Sequence, residues 1–156
     1  MTDIKLINNS ENGQLGFDVA IINGDLQTDP GIETAILVSL FTDRRAESDD
    51  LLPSANMGRR GWWGDLYQGN TGRRVGSKLW LHSREKVTDQ ALATIRDEVD
   101  ESLDWLIEYG LAMRTAVEVE AIRSNLVTPI LGIDVKVYRR DGSVMAKNYQ
   151  YMWSEQ

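Results

Sequence analysis

The feature that most constrains the fold is an apolar stripe between residues 88 and 110. Five apolar side chains recur there at steps of three and four: Leu92, Ile95, Val99, Leu103 and Leu106. This spacing predicts one amphipathic helix of about six turns. Thr88 and Asp89 suit its N-terminus, and Gly110 suits its C-terminus. A helix with one apolar face needs a second layer to cover that face.

Three stretches near the C-terminus predict the covering layer. Residues 115–122 and 131–137 alternate apolar and polar side chains, and residues 144–153 are rich in residues that favour strands. The turn sequence Arg140-Asp141-Gly142-Ser143 separates the last two stretches. We therefore expect an antiparallel sheet of about three strands, polar on one side and packed on the long helix on the other.

A strand and a hairpin turn are expected near the N-terminus. Phe17, Val19 and Ile21 alternate with other residues and predict a short half-buried strand. The sequence Asn23-Gly24-Asp25 favours positive φ angles, which suit a tight hairpin.

A short helix is expected after this hairpin. Asp29 is suited to cap it and Pro30 to occupy its first turn. Residues 33–41, ETAILVSLF, are apolar on nearly every side, which indicates a buried helix. Together these elements predict an α+β fold in a single domain over residues 1–156.

An irregular segment at about residues 43–77, called the insert below, interrupts this pattern. The stretch from Gly58 to Leu81, GRRGWWGDLYQGNTGRRVGSKLWL, contains four arginines, three tryptophans and six glycines. Between residues 44 and 86 nine Lys and Arg stand against five Asp and Glu, whereas the remainder has eight against nineteen. Loops of this length are uncommon in compact domains, so the insert is expected to be functional or to be held down by a partner.

The composition excludes several classes of site. There are no cysteines and one histidine, His82, which excludes disulfides, thiolate nucleophiles and Cys- or His-rich metal sites. The formal net charge of −7 argues against a general nucleic-acid binder. No window approaches the roughly 18 apolar residues of a membrane helix, and residues 64–78 lack the spacing of a nucleotide-binding loop. We therefore expect no cofactor, no metal, no nucleic acid and no membrane among its partners.

Acidic residues on the long helix are the densest supply of carboxylates. They are Asp97, Glu98, Asp100, Glu101, Asp104 and Glu108. They lie mainly opposite the apolar stripe, which is typical of a solvated face. A glycoside hydrolase needs two carboxyl groups in different environments, and no spacing singles out such a pair. His82 lacks the context of a catalytic triad and is expected to face solvent or pack on a neighbour.

The Arg- and Trp-rich residues leave three interpretations open. They could bind single-stranded nucleic acid through Arg59, Arg60, Trp62 and Trp63, brace the insert internally, or anchor a protein interface. Nearby Asp43, Asp49, Asp50 and Asp65 would repel phosphate and pair with arginine, which favours bracing and an interface. The residues predicted to serve these two roles are Arg44, Arg45, Arg59, Arg60, Trp62, Trp63, Asp65, Trp80 and Arg84.

Several runs of the sequence resemble a known family. They are GDLQTDPGIETAILVSLFTDRRA, DDLLP, RRGWWGD, GSKLWL, LDWLIEYGLA and RRDGS. In this order they are similar to the baseplate proteins of Mu-like bacteriophages and prophages, the gene-product-46 family, which is itself similar to the wedge proteins of contractile tails in the gene 25-like superfamily. The resemblance implies a virion structural protein without catalysis.

The resemblance also implies partners and a location. Other baseplate and tail subunits are the expected partners, and the protein is expected in the host cytoplasm during assembly and then in the tail baseplate. The last strand is an edge that a sheath subunit could extend. Sheath initiation and a homo-oligomer are left open, as are two alternative functions. One is a peptidoglycan-degrading muramidase with Glu98 or Glu101 as the acid, and the other is a nucleic-acid-binding module.

Overall fold

The predicted α+β class is confirmed. A computed structural model of the chain describes residues 3–8, 17–26, 28–29, 31–67, 74–122 and 130–152. The long helix, α2, spans Asp89–Glu108, and the Thr88 hydroxyl caps it by accepting a hydrogen bond from the Ala91 N–H at 3.1 Å. Gly110 follows with a φ of 68°, the left-handed conformation that commonly ends a helix. The predicted helix and both its ends are therefore confirmed.

The C-terminal sheet contains the three predicted strands. They are β7 (Arg114–Ile122), β8 (Ile130–Tyr138) and β9 (Val144–Met152), which pair antiparallel in that order. The turn between β8 and β9 has Gly142 at a φ of 83°, so the predicted turn chemistry is also confirmed.

The apolar core lies between α2 and this sheet. On the helix Ile95, Val99, Leu103 and Leu106 are buried, and on the sheet the buried side chains include Val117, Leu131, Ile133, Val135 and Val137. The inward residues of β8 fall at every second position, as expected for a strand with one face on the core. Thr115, at the start of β7, donates its hydroxyl proton to Asp100 of α2 at 2.8 Å and connects the two layers.

The short helix, α1, spans Ile32–Phe41 and is largely buried, as predicted, with Val38 as an exposed residue. It packs beside β9, where the Glu33 carboxylate lies 2.6 Å from the Lys147 amine and the Phe41 ring contacts that of Tyr149. The prediction that Asp29 caps this helix is wrong. Asp29 pairs with Asp3 in a strand ladder, and this pairing places it before the helix, so Gly31 is the N-cap residue. Pro30 lies outside the described residues.

The N-terminal part consists of short antiparallel ladders. β1 (Asp3–Ile4) pairs with β6 (Thr28–Asp29), and β2 (Leu6–Asn8) pairs with β3 (Phe17–Val19). The predicted hairpin is confirmed: β4 (Ile21–Ile22) pairs with β5 (Asp25–Leu26).

The predicted half-burial of the strand that contains Val19 and Ile21 is wrong. Asn23 and Gly24 adopt φ angles of 54° and 82° at the hairpin turn. Ala20 is the buried residue, whereas Val19 and Ile21 are exposed. Asp18 and Ile22, which alternate with Val19 and Ile21 as Ala20 does, are exposed as well.

Candidate protein interaction site

The two ends of the insert meet. Asp43 and Ser77 form a parallel bridge, in which the Arg44 N–H donates to the Ser77 carbonyl and the Ser77 N–H donates to the Thr42 carbonyl, both at 3.0 Å. The buried Ser77 hydroxyl also donates to the carbonyl of Leu40 at 2.5 Å. The irregular segment therefore begins and ends on the last turn of α1.

Gly76 is required at this closure. Its φ is 104°, and a Cβ atom there would lie 2.2 Å from the Thr42 carbonyl oxygen. The positive φ angle disfavours any other residue, and there is no room for a side chain. Both facts explain why position 76 is a glycine.

Ion pairs attach the insert to itself and to α2. The Arg60 guanidinium lies 2.8 Å from Asp43, and Arg74 lies 2.6 Å from Glu47. Arg44 reaches out of the insert to Glu101 on α2, also at 2.8 Å. Of the arginine–aspartate pairs considered from the sequence, the described residues form Arg60–Asp43.

Asp50 and Asp65 have other partners than the predicted arginines. Lys78 binds Asp50 at 2.8 Å. Burial alone raises the pKa of Asp50, but the hydrogen bonds from Lys78 and the Glu47 N–H outweigh it and lower the pKa. Asp65 accepts the N–H of Val75 at 3.1 Å. Asp65 thus connects two parts of the insert, and Asp50 connects the insert to Lys78, the residue that follows it.

Two of the predicted arginines bind backbone carbonyl groups. Arg59 donates to the carbonyl of Ser48 at 3.0 Å, and Arg45 donates to that of Arg60 at 3.3 Å. Gly61, with a φ of 109°, passes so close to Arg45 that a Cβ atom would lie 2.7 Å from the Arg45 Cβ. The guanidinium groups thus take the place of the strand ladders that this segment lacks.

Trp80 is the buried centre around which the insert folds. It lies in a short 3-10 helix, Leu79–His82, and its indole N–H donates to the Arg44 carbonyl at 2.8 Å. The Arg60 guanidinium carbon lies 4.7 Å from the ring centroid, a cation–π geometry. Trp80 therefore braces the insert and is covered by it.

Trp62 and Trp63 differ from Trp80 in their exposure. Their ring centroids are 5.7 Å apart, and Trp63 also contacts Tyr67 edge to face at 6.0 Å. A second 3-10 helix, Trp63–Tyr67, places Trp63, Leu66 and Tyr67 in solvent with 70%, 85% and 81% of their surfaces exposed. We call Trp62, Trp63, Leu66 and Tyr67 the aromatic patch. Arg84, exposed in the turn after Trp80, has no carboxylate partner among the described residues.

The Trp62 ring has a bracing role as well. A Cβ atom at Gly64 would lie 2.2 Å from this ring, so the indole packs directly on the Gly64 backbone. Trp62 therefore holds the 3-10 helix in place, whereas Trp63 mainly faces solvent.

His82 forms a link that the sequence analysis missed. Its two ring nitrogens lie 2.5 Å from Glu85 and 2.8 Å from Glu98 of α2. Burial alone lowers the pKa of His82, but the hydrogen bonds and charges of Glu98 and Glu85 outweigh burial and raise the pKa. The spacing to Glu85 was visible in the sequence. The contact with Glu98 depends on how the 3-10 helix packs on α2, for which the sequence carries no signal.

Neither a metal site nor a membrane span is found in the described residues. No group of three His, Asp or Glu side chains there is placed to hold a metal ion. Within the same residues, neither α1 nor α2 has the combined length and apolarity needed to cross a membrane.

Comparisons with known proteins identify relatives over most of the chain. The family described as Phage protein GP46 matches residues 32–144. The baseplate protein gp46 of Escherichia phage Mu is 36% identical over 150 residues, which cover 96% of each chain. The Mu-like prophage FluMu protein gp46 of Haemophilus influenzae is 34% identical over 137 residues, which cover 88% of this chain and 90% of the relative.

Proposed function

The chain belongs to the GP46 family of Mu-like baseplate proteins, and from this membership we propose that it is a structural subunit of a phage or prophage tail baseplate. The similarity to the Mu baseplate protein along almost the whole of both chains carries this proposal. The protein assembles in the host cytoplasm and then remains in the baseplate of the tail.

The aromatic patch is the surface through which the protein binds a neighbouring subunit. Exposed tryptophan, tyrosine and arginine are the residues that dominate binding energy at protein interfaces. Trp63 and Tyr67 are exposed on a 3-10 helix that is held in place by the Trp62 ring on Gly64 and by the hydrogen bond from Val75 to Asp65. A braced backbone lowers the entropy that binding would otherwise cost.

Replacing Trp63 tests this surface most directly. Because Trp63 has little contact with the rest of its own chain, Trp63→Ser is expected to leave the fold intact and to remove an anchor of about 2 kcal/mol, or roughly 30-fold in affinity. The measurement is co-purification of the variant with the other baseplate proteins of the same phage or prophage, together with its thermal melting temperature.

Met113→Ser is the matched control. Met113 is an apolar side chain with 66% of its surface exposed, and it precedes β7, outside the insert. Normal co-purification of Trp63→Ser, or an equal loss in both variants, would count against the patch as the interface.

Strand β9 provides a second attachment point, for a sheath or other tail subunit. Among the described residues β9 pairs with β8 on one side, and no strand covers its other side. An extended segment of a neighbouring chain can add to such an edge through backbone hydrogen bonds. We expect amide hydrogen exchange in Val144–Met152 to slow when the protein enters the assembled tail. Unchanged exchange there would oppose strand addition.

We propose no catalysis for this protein. The two residues named for the muramidase alternative both make structural pairs: Glu98 with His82 and Glu101 with Arg44. A peptidoglycan-release assay at several pH values tests the alternative, and turnover that Glu98→Gln abolishes would establish it.

The nucleic-acid alternative is disfavoured by the ion pairs of the insert. Arg60, one of its residues, already pairs with Asp43. Binding to phosphates weakens steeply as salt rises, so a salt titration with single-stranded DNA tests it. Salt-sensitive binding that Trp63→Ser abolishes would favour this alternative over the subunit interface.

A further inference from the structure

The N-terminal hairpin β4–β5 is exposed in a way that its sequence did not predict. Ile21, Ile22 and Leu26 have 64%, 53% and 46% of their surfaces exposed, although all three are large apolar side chains. A two-stranded hairpin is marginally stable by itself. Contiguous exposed apolar residues of this kind usually mark a contact with another protein.

The hairpin is acidic as well as apolar. Residues 17–26 contain Asp18 and Asp25 and no Lys or Arg. Each of these carboxylates accepts a hydrogen bond from the following backbone N–H, Asp18 at 2.8 Å and Asp25 at 2.9 Å, through its Oδ1 atom. Both residues remain exposed. The hairpin thus presents apolar side chains flanked by negative charge.

The aromatic patch has the complementary character. It presents Trp63, Leu66 and Tyr67, and the exposed Arg45 lies beside it, packed against Gly61. The Arg45 guanidinium donates to the Arg60 carbonyl and has no carboxylate partner among the described residues. The carbonyl of Arg45 accepts a hydrogen bond from the Arg74 guanidinium. The Arg45 guanidinium therefore has donors for an additional acidic group.

The N-terminal ladders and the insert are attached at opposite ends of α1. At its first turns, Thr34 donates to the Ile4 carbonyl and Lys5 lies 3.8 Å from Glu33, which attaches the N-terminal ladders. At its last turn, Ser77 attaches the insert. Ten helical residues separate these two attachment points by about 15 Å. Both surfaces are exposed, so the hairpin does not cover the patch of the same chain.

We propose that the acidic hairpin β4–β5 of one copy docks on the aromatic patch of a second copy. Ile22 packs on Trp63 and Tyr67, and Asp25, which lies opposite Ile22 in the ladder and so on the same face of the hairpin, pairs with Arg45. This inference rests on the proposed use of the patch as an interface and names its occupant. Charge complementarity and apolar surface on both sides select this partner.

Chemical cross-linking tests the contact, because the chain has no native cysteine. Ile22→Cys and Leu66→Cys place one thiol each on the exposed hairpin and patch. A mixture of the two purified variants, treated with a short bis-maleimide, is expected to give a mixed dimer. Ala93→Cys, on the exposed side of α2, replaces Leu66→Cys in the control mixture. Equal yields from the two mixtures would overturn the proposal.

Charge exchange tests the predicted pair. Asp25→Lys and Arg45→Glu are each expected to weaken self-association of the purified protein by about tenfold, measured by sedimentation at about 100 µM protein, and a mixture of the two variants is expected to restore it. Failure of the mixture to restore association would overturn the Asp25–Arg45 contact.

The outcomes of these experiments distinguish a failure of the self-contact from a failure of the proposed function. If Trp63→Ser loses its baseplate partners but the cysteine mixture gives no excess cross-linking, the patch binds a different subunit and the self-contact is wrong. If cross-linking succeeds and Trp63→Ser still enters baseplates normally, the self-contact stands and the patch is not the essential baseplate interface.

Discussion

The α2–sheet layer and the insert are stabilised by different forces. Between α2 and the sheet, fully buried aliphatic side chains such as Leu103 and Ile133 exclude water, and backbone hydrogen bonds are made within regular elements. The insert buries few of its own side chains, Ala46 and Ser77 among them. Its backbone is held by guanidinium groups, by the adjoining Trp80, by Ser77 and by special glycines. Burial is non-directional and tolerates small shifts, whereas the contacts of the insert each require a particular geometry.

The largest effect is expected in the apolar core between α2 and the sheet. Leu103→Ala removes a fully buried side chain of α2 and should lower the free energy of unfolding by about 2–5 kcal/mol. Urea denaturation followed by circular dichroism measures it. Leu66→Ala, in the aromatic patch, is the control and should change stability by less than about 0.5 kcal/mol. Similar losses in both would show that the exposed patch is packed in solution.

Gly76→Ala should have the next largest effect, and a more local one. The left-handed backbone conformation costs an alanine about 1–2 kcal/mol, and the clash with the Thr42 carbonyl adds to this. We expect faster proteolysis within the insert while α2 remains protected from hydrogen exchange. Gly142→Ala is the control, since its φ is also positive but nothing lies within 4 Å of the new Cβ. Equal cleavage in both variants would show that Gly76 has no special role in closing the insert.

A smaller effect is expected for the ion pair that joins the two regions. A double-mutant cycle of Arg44→Met and Glu101→Gln should give a coupling energy of about 0.5 kcal/mol, because the Glu101 carboxylate is half exposed and solvent screens the pair. The exposed neighbours Arg96 and Asp97 provide a control cycle with a coupling near zero. A coupling no larger than in the control would mean that Arg44 does not fasten the insert to α2.

The smallest expected effect is a pH dependence. Glu98 and Glu85 raise the pKa of His82 in the folded protein against the opposing effect of burial. The folded state therefore holds this proton more tightly than the unfolded chain. The resulting stabilisation is complete below the unfolded pKa of about 6.5 and is lost as pH rises through the folded pKa.

Glu98→Gln should reduce this dependence. Urea midpoints between about pH 6 and pH 9 measure it, with Asp97→Asn as a control on the exposed face of α2. If the stability of Glu98→Gln falls with pH as steeply as that of the control, the charged His82 does not link the 3-10 helix Leu79–His82 to α2.

The difference between the two regions also explains which structural features could be predicted from the sequence. The stripe from Leu92 to Leu106 repeats at the helical period, so α2 and its ends were predictable from spacing alone. The hairpin was predictable from Asn23-Gly24, but the buried face of so short a strand was not, because Ala20 carries less information than its larger neighbours.

Most contacts of the insert could not be predicted from the sequence. Bracing by Arg and Trp residues was one of the interpretations that the sequence left open. The pairs themselves join residues far apart in the chain, since Arg44 pairs with Glu101 and Asp50 with Lys78, across 57 and 28 residues. Contacts at such separations depend on the packing of α1, α2 and the sheet, for which local patterns hold no signal. Exposure then distinguishes Trp63 from Trp80, two residues of the same type in one segment.

Because of the bridge between Asp43 and Ser77, we expect that the insert can be replaced by a segment of different length. Because its two ends are fixed beside each other on the last turn of α1, the entropy of closing this loop changes only slowly with its length. A shorter or longer peptide joined at the same two points is expected to leave α2 and the sheet folded. The partner that we propose for the aromatic patch can then be changed without redesign of α2 and the sheet.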